Sequence, residues 1–71
     1  MGDWVNVSSS NISCVKYDED SSVLTVRFNS GGEYEYYDVY SDDYYNLISA
    51  PSCGNYLNCN IKGKYRYDKI Y

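Results

Sequence analysis

The alternating run VLTVRFN at residues 23–29 constrains the fold more than any other stretch. Leu24, Val26 and Phe28 fall on one side of an extended chain and Val23, Thr25 and Arg27 on the other, the pattern of a half-buried strand. Before it lies ISCVKY (12–17), a short β-branched and aromatic run, joined through DEDSS, a polar cluster suited to the turn of a hairpin. After it, NSGG (29–32) supplies glycines that accept positive φ. EYEYYDV (33–39) then resumes the extended pattern, with Tyr34 and Tyr36 on one face. The expectation is a three-stranded antiparallel meander.

The pattern changes at Ser41. Ser41 is a good N-cap, Asp42 and Asp43 favour the positive start of a helix, and Tyr40 is placed to staple onto Tyr45. Tyr44, Leu47 and Ile48 follow at i, i+3 and i+4, one apolar stripe that Pro51 ends near Ser49 or Ala50. Leu57 and Ile61 mark a short second helix at about 54–61, with Gly63 as its stop. KYRYDKI (64–70) alternates again and reads as a last strand of the sheet, with Tyr65, Tyr67 and Lys69 on one side. The fold class expected is α+β, in the order β-β-β-α-α-β.

Seventy-one residues make one domain with a single small core, so most large apolar side chains are committed to it. Residues 1–7 read as a lead-in and 8–71 as the domain. Eleven tyrosines against one Phe and one Trp mean that tyrosine stands in for other aromatics, burying its ring while its hydroxyl stays wet. Tyr34, Tyr36 and Tyr44 are expected to face one another across the core. The start of the chain is too polar for a secretory signal and no apolar run is long enough to span a membrane, so a soluble cytoplasmic protein is expected.

Chemistry at a catalytic centre is not expected. The absence of histidine removes both Ser-His-Asp and Cys-His arrangements within the chain. Asp18, Glu19 and Asp20, like Asp42 and Asp43, are neighbours in sequence that suit turns and helix starts, and DEDSS lacks the spacing of a calcium loop. Cys14, Cys53 and Cys59 form no metal motif. They read as reduced thiols, with a Cys53–Cys59 disulfide as the alternative. No metal and no cofactor are expected.

Charge is uneven. Residues 1–61 carry nine acids against Lys16 and Arg27, a balance of −7, whereas residues 62–71 carry Lys62, Lys64, Arg66 and Lys69 against Asp68, a balance of +3. A basic strip on an acidic body holds phosphates locally while the whole is repelled by long polyanions. Short RNA, single-stranded nucleic acid or a nucleotide is therefore favoured over a duplex. Tyr65 and Tyr67 interleaved with Lys64 and Arg66 suit base stacking and phosphate pairing. Ser52, Gly54, Asn55, Asn58 and Asn60 gather small polar groups nearby.

The stretches SSNISCVKYDEDSSVLTVRFNSGGEYEYYDV and YYNLISAPSCGNYLNCNIKGKYRY resemble the KTSC domain, a module named for the C-terminus of some lysyl-tRNA synthetases. The family also occurs as small stand-alone proteins, mostly of bacteria and their phages. The most specific elements are Ser9, Asn11 and Ile12; Ser30-Gly31-Gly32 with Tyr34 and Tyr36; Ser52, Gly54, Tyr56 and Asn58; and Ile61 and Gly63 before Tyr65 and Tyr67. The synthetase context implies RNA binding. Relatives carry Lys in place of Cys53 and often Arg and His in place of Cys59 and Asn60, which leaves the basic ending to supply the cations.

Two functions are expected from these features. The first is a non-catalytic module that binds single-stranded RNA or a nucleotide-type ligand through Tyr56, Asn58, Asn60, Lys62, Lys64, Tyr65, Arg66 and Tyr67. The second is a stand-alone accessory protein of phage type that sequesters a nucleotide signal or a host protein, or self-associates, through an acidic tyrosine-rich face of Tyr37, Tyr40, Asp42 and Asp43.

Overall fold

The computed structural model describes residues 4–7 and 9–70. Met1–Asp3, which head the expected lead-in, Ser8, where the expected domain begins, and Tyr71 lie outside the described residues. The fold is α+β. Five antiparallel strands form one sheet in chain order: β1 (Val5–Asn6), β2 (Ile12–Asp18), β3 (Val23–Phe28), β4 (Glu33–Tyr36) and β5 (Tyr67–Lys69). Between β4 and β5 come α1 (Ser41–Ser49) and α2 (Cys53–Tyr56), and α2 runs into a π-helical turn over Leu57–Ile61. That turn is closed by the Lys62 N–H donating to Leu57 O at 2.8 Å.

The meander, both helices and the closing strand thus match the order read from the sequence, and β1 is added to it. Val5 and Asn6 pair with Val15 and Cys14, making the lead-in an edge strand too short to display alternation. Two strands are shorter than their sequence pattern. β4 ends at Tyr36 because Asp38 turns the chain with φ 57°. β5 starts only at Tyr67 because Gly63 takes φ 83° and the Lys64 and Tyr65 N–H groups fold back onto Ile61 O.

Cross-strand register aligns Val15 with Val26 and Tyr17 with Leu24, and Leu24 with Tyr36 and Val26 with Tyr34. Directly opposed residues share a face, so these side chains form one apolar surface. Tyr44 and Leu47 of α1, Leu57 and Ile61 cover it, and all are buried. The helical stripe is therefore realised as expected. The tyrosine pairing differs: Tyr44 stacks on Tyr17 of β2, while Tyr34 and Tyr36 both meet Tyr67.

The start of α1 also departs from expectation. Tyr40, in extended conformation, is the residue before the helix, and Ser41 is its first residue, so no side chain caps it. Tyr40 does not staple onto Tyr45; its ring lies edge-on to Tyr65 at 6.3 Å. Tyr45 instead sits beside Tyr44. At α2 the Ser52 hydroxyl does accept the Asn55 N–H, at 3.3 Å. Cys14 and Cys53 are buried, Cys59 is exposed, and all three are free thiols, so the alternative Cys53–Cys59 disulfide is not formed.

Candidate functional site

The helices cover β2, β3 and β4 but stop short of β5. Register carries the core face outward, placing Tyr67 beside Tyr36 and Lys69 beside Tyr34. Tyr67 is 53% exposed there. Phe28, Tyr34 and Tyr67 form a continuous aromatic shelf: Phe28 and Tyr34 meet edge to face at 5.4 Å, and Tyr34 and Tyr67 tilt together at 5.7 Å. Lys62, from the end of the π-helical turn, holds its Nζ 6.0 Å from the centre of the Phe28 ring. A cavity of about 540 Å³ lies over the shelf, bounded by Lys62 and Lys69 and by the β3–β4 turn.

That turn owes its shape to Gly31. Its φ of 101° lies in the region that side chains avoid, and its N–H donates to Phe28 O at 2.9 Å while the Phe28 N–H donates to Gly32 O at 2.8 Å. Asn29 anchors the turn to the segment before β2, donating from Nδ2 to Ser10 O at 2.9 Å. Beyond the turn the groove continues into a second cavity of about 410 Å³, reaching Asn11, Gly54, Leu57 and Asn58. Phe28, Ser30 and Lys62 line both. Gly54 lies close under this end: a Cβ there would stand 3.4 Å from both Asn11 Nδ2 and Ser9 Oγ.

Of the residues expected to bind ligand, Asn58, Lys62 and Tyr67 come together in this groove. Tyr56, Lys64 and Tyr65 are drawn elsewhere. All three converge on Asp43: the Tyr56 hydroxyl donates to Oδ1 at 3.1 Å, Lys64 Nζ to Oδ2 at 3.0 Å, and the Tyr65 hydroxyl to Oδ2. Tyr65's hydrogen bond, helped by those of Lys64 and Tyr56, holds the Asp43 carboxyl below its ordinary range. Asp43 in turn holds the Lys64 ammonium more firmly protonated. Lys64 is thus neutralised by a carboxylate. Asn60 is exposed just past Cys59, and Arg66 lies with Tyr37, Tyr67 and Asp68 around a separate hollow.

The expected partner face is not one surface of free groups. Asp43 is turned inward as described, and the Tyr37 hydroxyl donates to Asp68 at 3.1 Å with Glu35 3.3 Å away. Tyr40, 70% exposed, and Asp42 remain open. On the far face of the sheet, Lys16 and Arg27 lie 4.8 and 4.7 Å from the Trp4 ring, and Arg27 pairs with its cross-strand neighbour Glu33 at 2.9 Å. Among the described residues, Lys62, Arg66 and Lys69 are the cations with neither an ion pair nor a Trp4 contact.

Sequence reasoning missed Phe28, Tyr34 and Asn11 as site residues. Phe28 and Tyr34 share the phase of core residues, and only the halt of the helices before β5 uncovers them. A signal was present in Ser30-Gly31-Gly32, whose backbone forms the wall of the groove.

The KTSC domain family model matches residues 8–65. A crystal structure of a KTSC domain protein from Yersinia pestis superposes with a TM-score of 0.94 at 35% identity, covering 100% of both chains. A lysine–tRNA ligase of Nostoc punctiforme is 37% identical over 54 residues, 76% of this chain and 10% of that enzyme. One from Trichormus variabilis is 38% identical over 55 residues, 78% of this chain and again 10% of the enzyme. The chain therefore spans about a tenth of the ligases it matches. A protein of Tsukamurella paurometabola is 35% identical over 60 residues, 84% of this chain and 90% of that protein. With this fold and these matches, the chain belongs to the KTSC domain family.

Proposed function

We propose that the protein is a non-catalytic binding module for single-stranded RNA or a nucleotide-type ligand, held in the groove over Phe28, Tyr34 and Tyr67. The observation that carries this reading is the pairing of an aromatic cluster, Tyr67 exposed and Phe28 and Tyr34 partly buried, with two unneutralised lysines, Lys62 and Lys69, at its margins. Aromatic faces accept any base, and the flanking ammonium groups supply the phosphate attraction. The acidic remainder of the surface disfavours long duplexes and leaves the groove as the favourable place for a short anion. The names of the lysine–tRNA ligase relatives fit an RNA ligand.

The reading moves the site relative to the sequence expectation. Lys64 is spent on Asp43, so Lys62 and Lys69 carry the phosphate contacts. Titration of a fluorescent hexauridylate at several salt concentrations tests this. Lys62→Ala and Lys69→Ala are each expected to weaken binding and to flatten the salt slope by about 0.7, the release expected for one phosphate contact on a single strand. Tyr67→Ala should cost about 1–3 kcal/mol of stacking, whereas Lys64→Ala should leave affinity near wild type. Loss confined to Lys64 and Arg66 variants would move the site back to the other side of the last strand.

The exposure of Tyr40 and Tyr45 beside Glu19 and Asp42 favours a second reading, in which this acidic aromatic face sequesters a protein partner. A pull-down that retains a partner and loses it with Tyr40→Ala, the groove variants having no effect, would select that reading.

A further inference from the structure

The groove has two compartments of different chemistry joined at a neck. Over the aromatic shelf, the first offers ring surface and Lys69 beside the Ser30 hydroxyl and the glycine backbone of the β3–β4 turn, and no side-chain amide. The second replaces rings by amides: Asn11 and Asn58 line it, both exposed, and each side-chain amide both donates and accepts. Asn29 lines it too, but its Nδ2 is already committed to Ser10 O and Ser9 O. Gly54, itself buried, lets Asn11 and Ser9 pack closely against the backbone at this end, since a Cβ there would stand 3.4 Å from Asn11 Nδ2 and Ser9 Oγ. Lys62 belongs to both compartments and stands at the neck with Phe28 and Ser30.

A base in the first compartment is held by stacking, which is indifferent to base identity. A base in the second meets amides, which discriminate by hydrogen bonding to its edge. Between two consecutive bases a nucleic acid strand has one linking phosphate, and the neck between the compartments has one free ammonium. Resting on the reading proposed above, we propose that the groove is a two-nucleotide site. One base stacks on Tyr67, the exposed ring of the three, with Phe28 and Tyr34 inclined behind it, the linking phosphate lies at Lys62, and the neighbouring base is read by Asn11 and Asn58. Lys69 faces the phosphate at the outer end of the stacked nucleotide.

The test is affinity against ligand length, measured by calorimetry with 5′-phosphorylated mono-, di-, tetra- and hexanucleotides of uridine and of adenosine. The dinucleotide is expected to bind about tenfold tighter than the mononucleotide, the worth of one added hydrogen-bonded base. Tetra- and hexanucleotides should add only the few-fold gain of multiple registers. Asn58→Ala, at an exposed position that leaves the fold intact by circular dichroism, should reduce the dinucleotide to the mononucleotide's affinity and leave the mononucleotide unchanged. Lys62→Ala should weaken both. Affinity that keeps climbing steeply to the hexanucleotide, or an Asn58→Ala protein that binds every length like wild type, would overturn the two-nucleotide site while leaving the binding module in place. Failure of every length to bind at millimolar concentration would remove both.

Discussion

Tyr17 and Tyr44 stack with ring centroids 4.9 Å apart and planes 15° from parallel, and this pair fastens α1 to the sheet. The Tyr17 hydroxyl also donates to Val39 O at 2.6 Å in a buried setting, which fixes the chain between β4 and α1. Tyr44→Ala is expected to lose about 3–4 kcal/mol through the cavity it leaves. Tyr17→Phe keeps the stack but takes the donor from Val39 O, for a loss of about 1–2 kcal/mol. Urea unfolding followed by tyrosine fluorescence checks both, and equal losses would assign the anchor to the hydrogen bond rather than to the rings.

Tyr36 is fully buried, yet its hydroxyl has no hydrogen-bond partner. Burial, with smaller contributions from Tyr67 and Tyr34, pushes its phenol up to about 12. Replacing the hydroxyl by hydrogen removes an unsatisfied polar group, so Tyr36→Phe should raise stability by about 1 kcal/mol. The same burial sets a pH dependence. A phenol that ionises at 10.0 when unfolded and near 12 when folded contributes stability that is complete below pH 10.0 and lost as pH rises toward 12. Wild type should therefore weaken across that interval more than Tyr36→Phe, as read by unfolding at stepped alkaline pH.

Asp43 works in the opposite sense. Its carboxyl is held below 3.8, first by the Tyr65 hydroxyl, so its contribution is present above pH 3.8 and is lost as pH falls through the lower folded value. Asp43→Ala should cost about 2 kcal/mol at neutral pH and shrink the acid-induced loss of stability seen in wild type. Lys64 is released in that variant but stands away from the groove, so hexauridylate affinity should stay near wild type. Unfolding from pH 7 to pH 2 measures the first effect.

Gly31→Ala should destabilise by about 1–2 kcal/mol from backbone strain alone. An added Cβ there would meet nothing within 4 Å, so no steric relief or new packing offsets the φ of 101°. Since this turn walls the groove, ligand affinity should fall with it, measurable by the same hexauridylate titration.

The elements most legible in the sequence are those whose periodicity and burial agree. Leu24 and Val26 are wholly buried, and Tyr44 and Leu47 lie on the inward stripe of α1. β1 left no trace because two residues cannot alternate. Site assignment was half legible: Lys62 and Tyr67 announce themselves by type, but Phe28 and Tyr34 look like ordinary core residues and are exposed to the groove only by where the helices end. Lys64 and Tyr65 lie away from the groove for a reason of sequence distance. Asp43, which claims them, lies far back along the chain on α1, and no local pattern reveals that meeting.

The groove joins Phe28 and Tyr34, early in the chain, to Lys62, Tyr67 and Lys69, which follow both helices. Its two walls are held together by β5 pairing with β4, the three positions Tyr34, Glu35 and Tyr36 opposite Lys69, Asp68 and Tyr67. A strand so short, added at an edge across a long intervening segment, carries a large closure entropy and is expected to dock late in folding. On the function proposed above, competence to bind is then the last property the chain acquires and the first it loses, and a ligand seated in the groove would act as a clasp on the strands that form it.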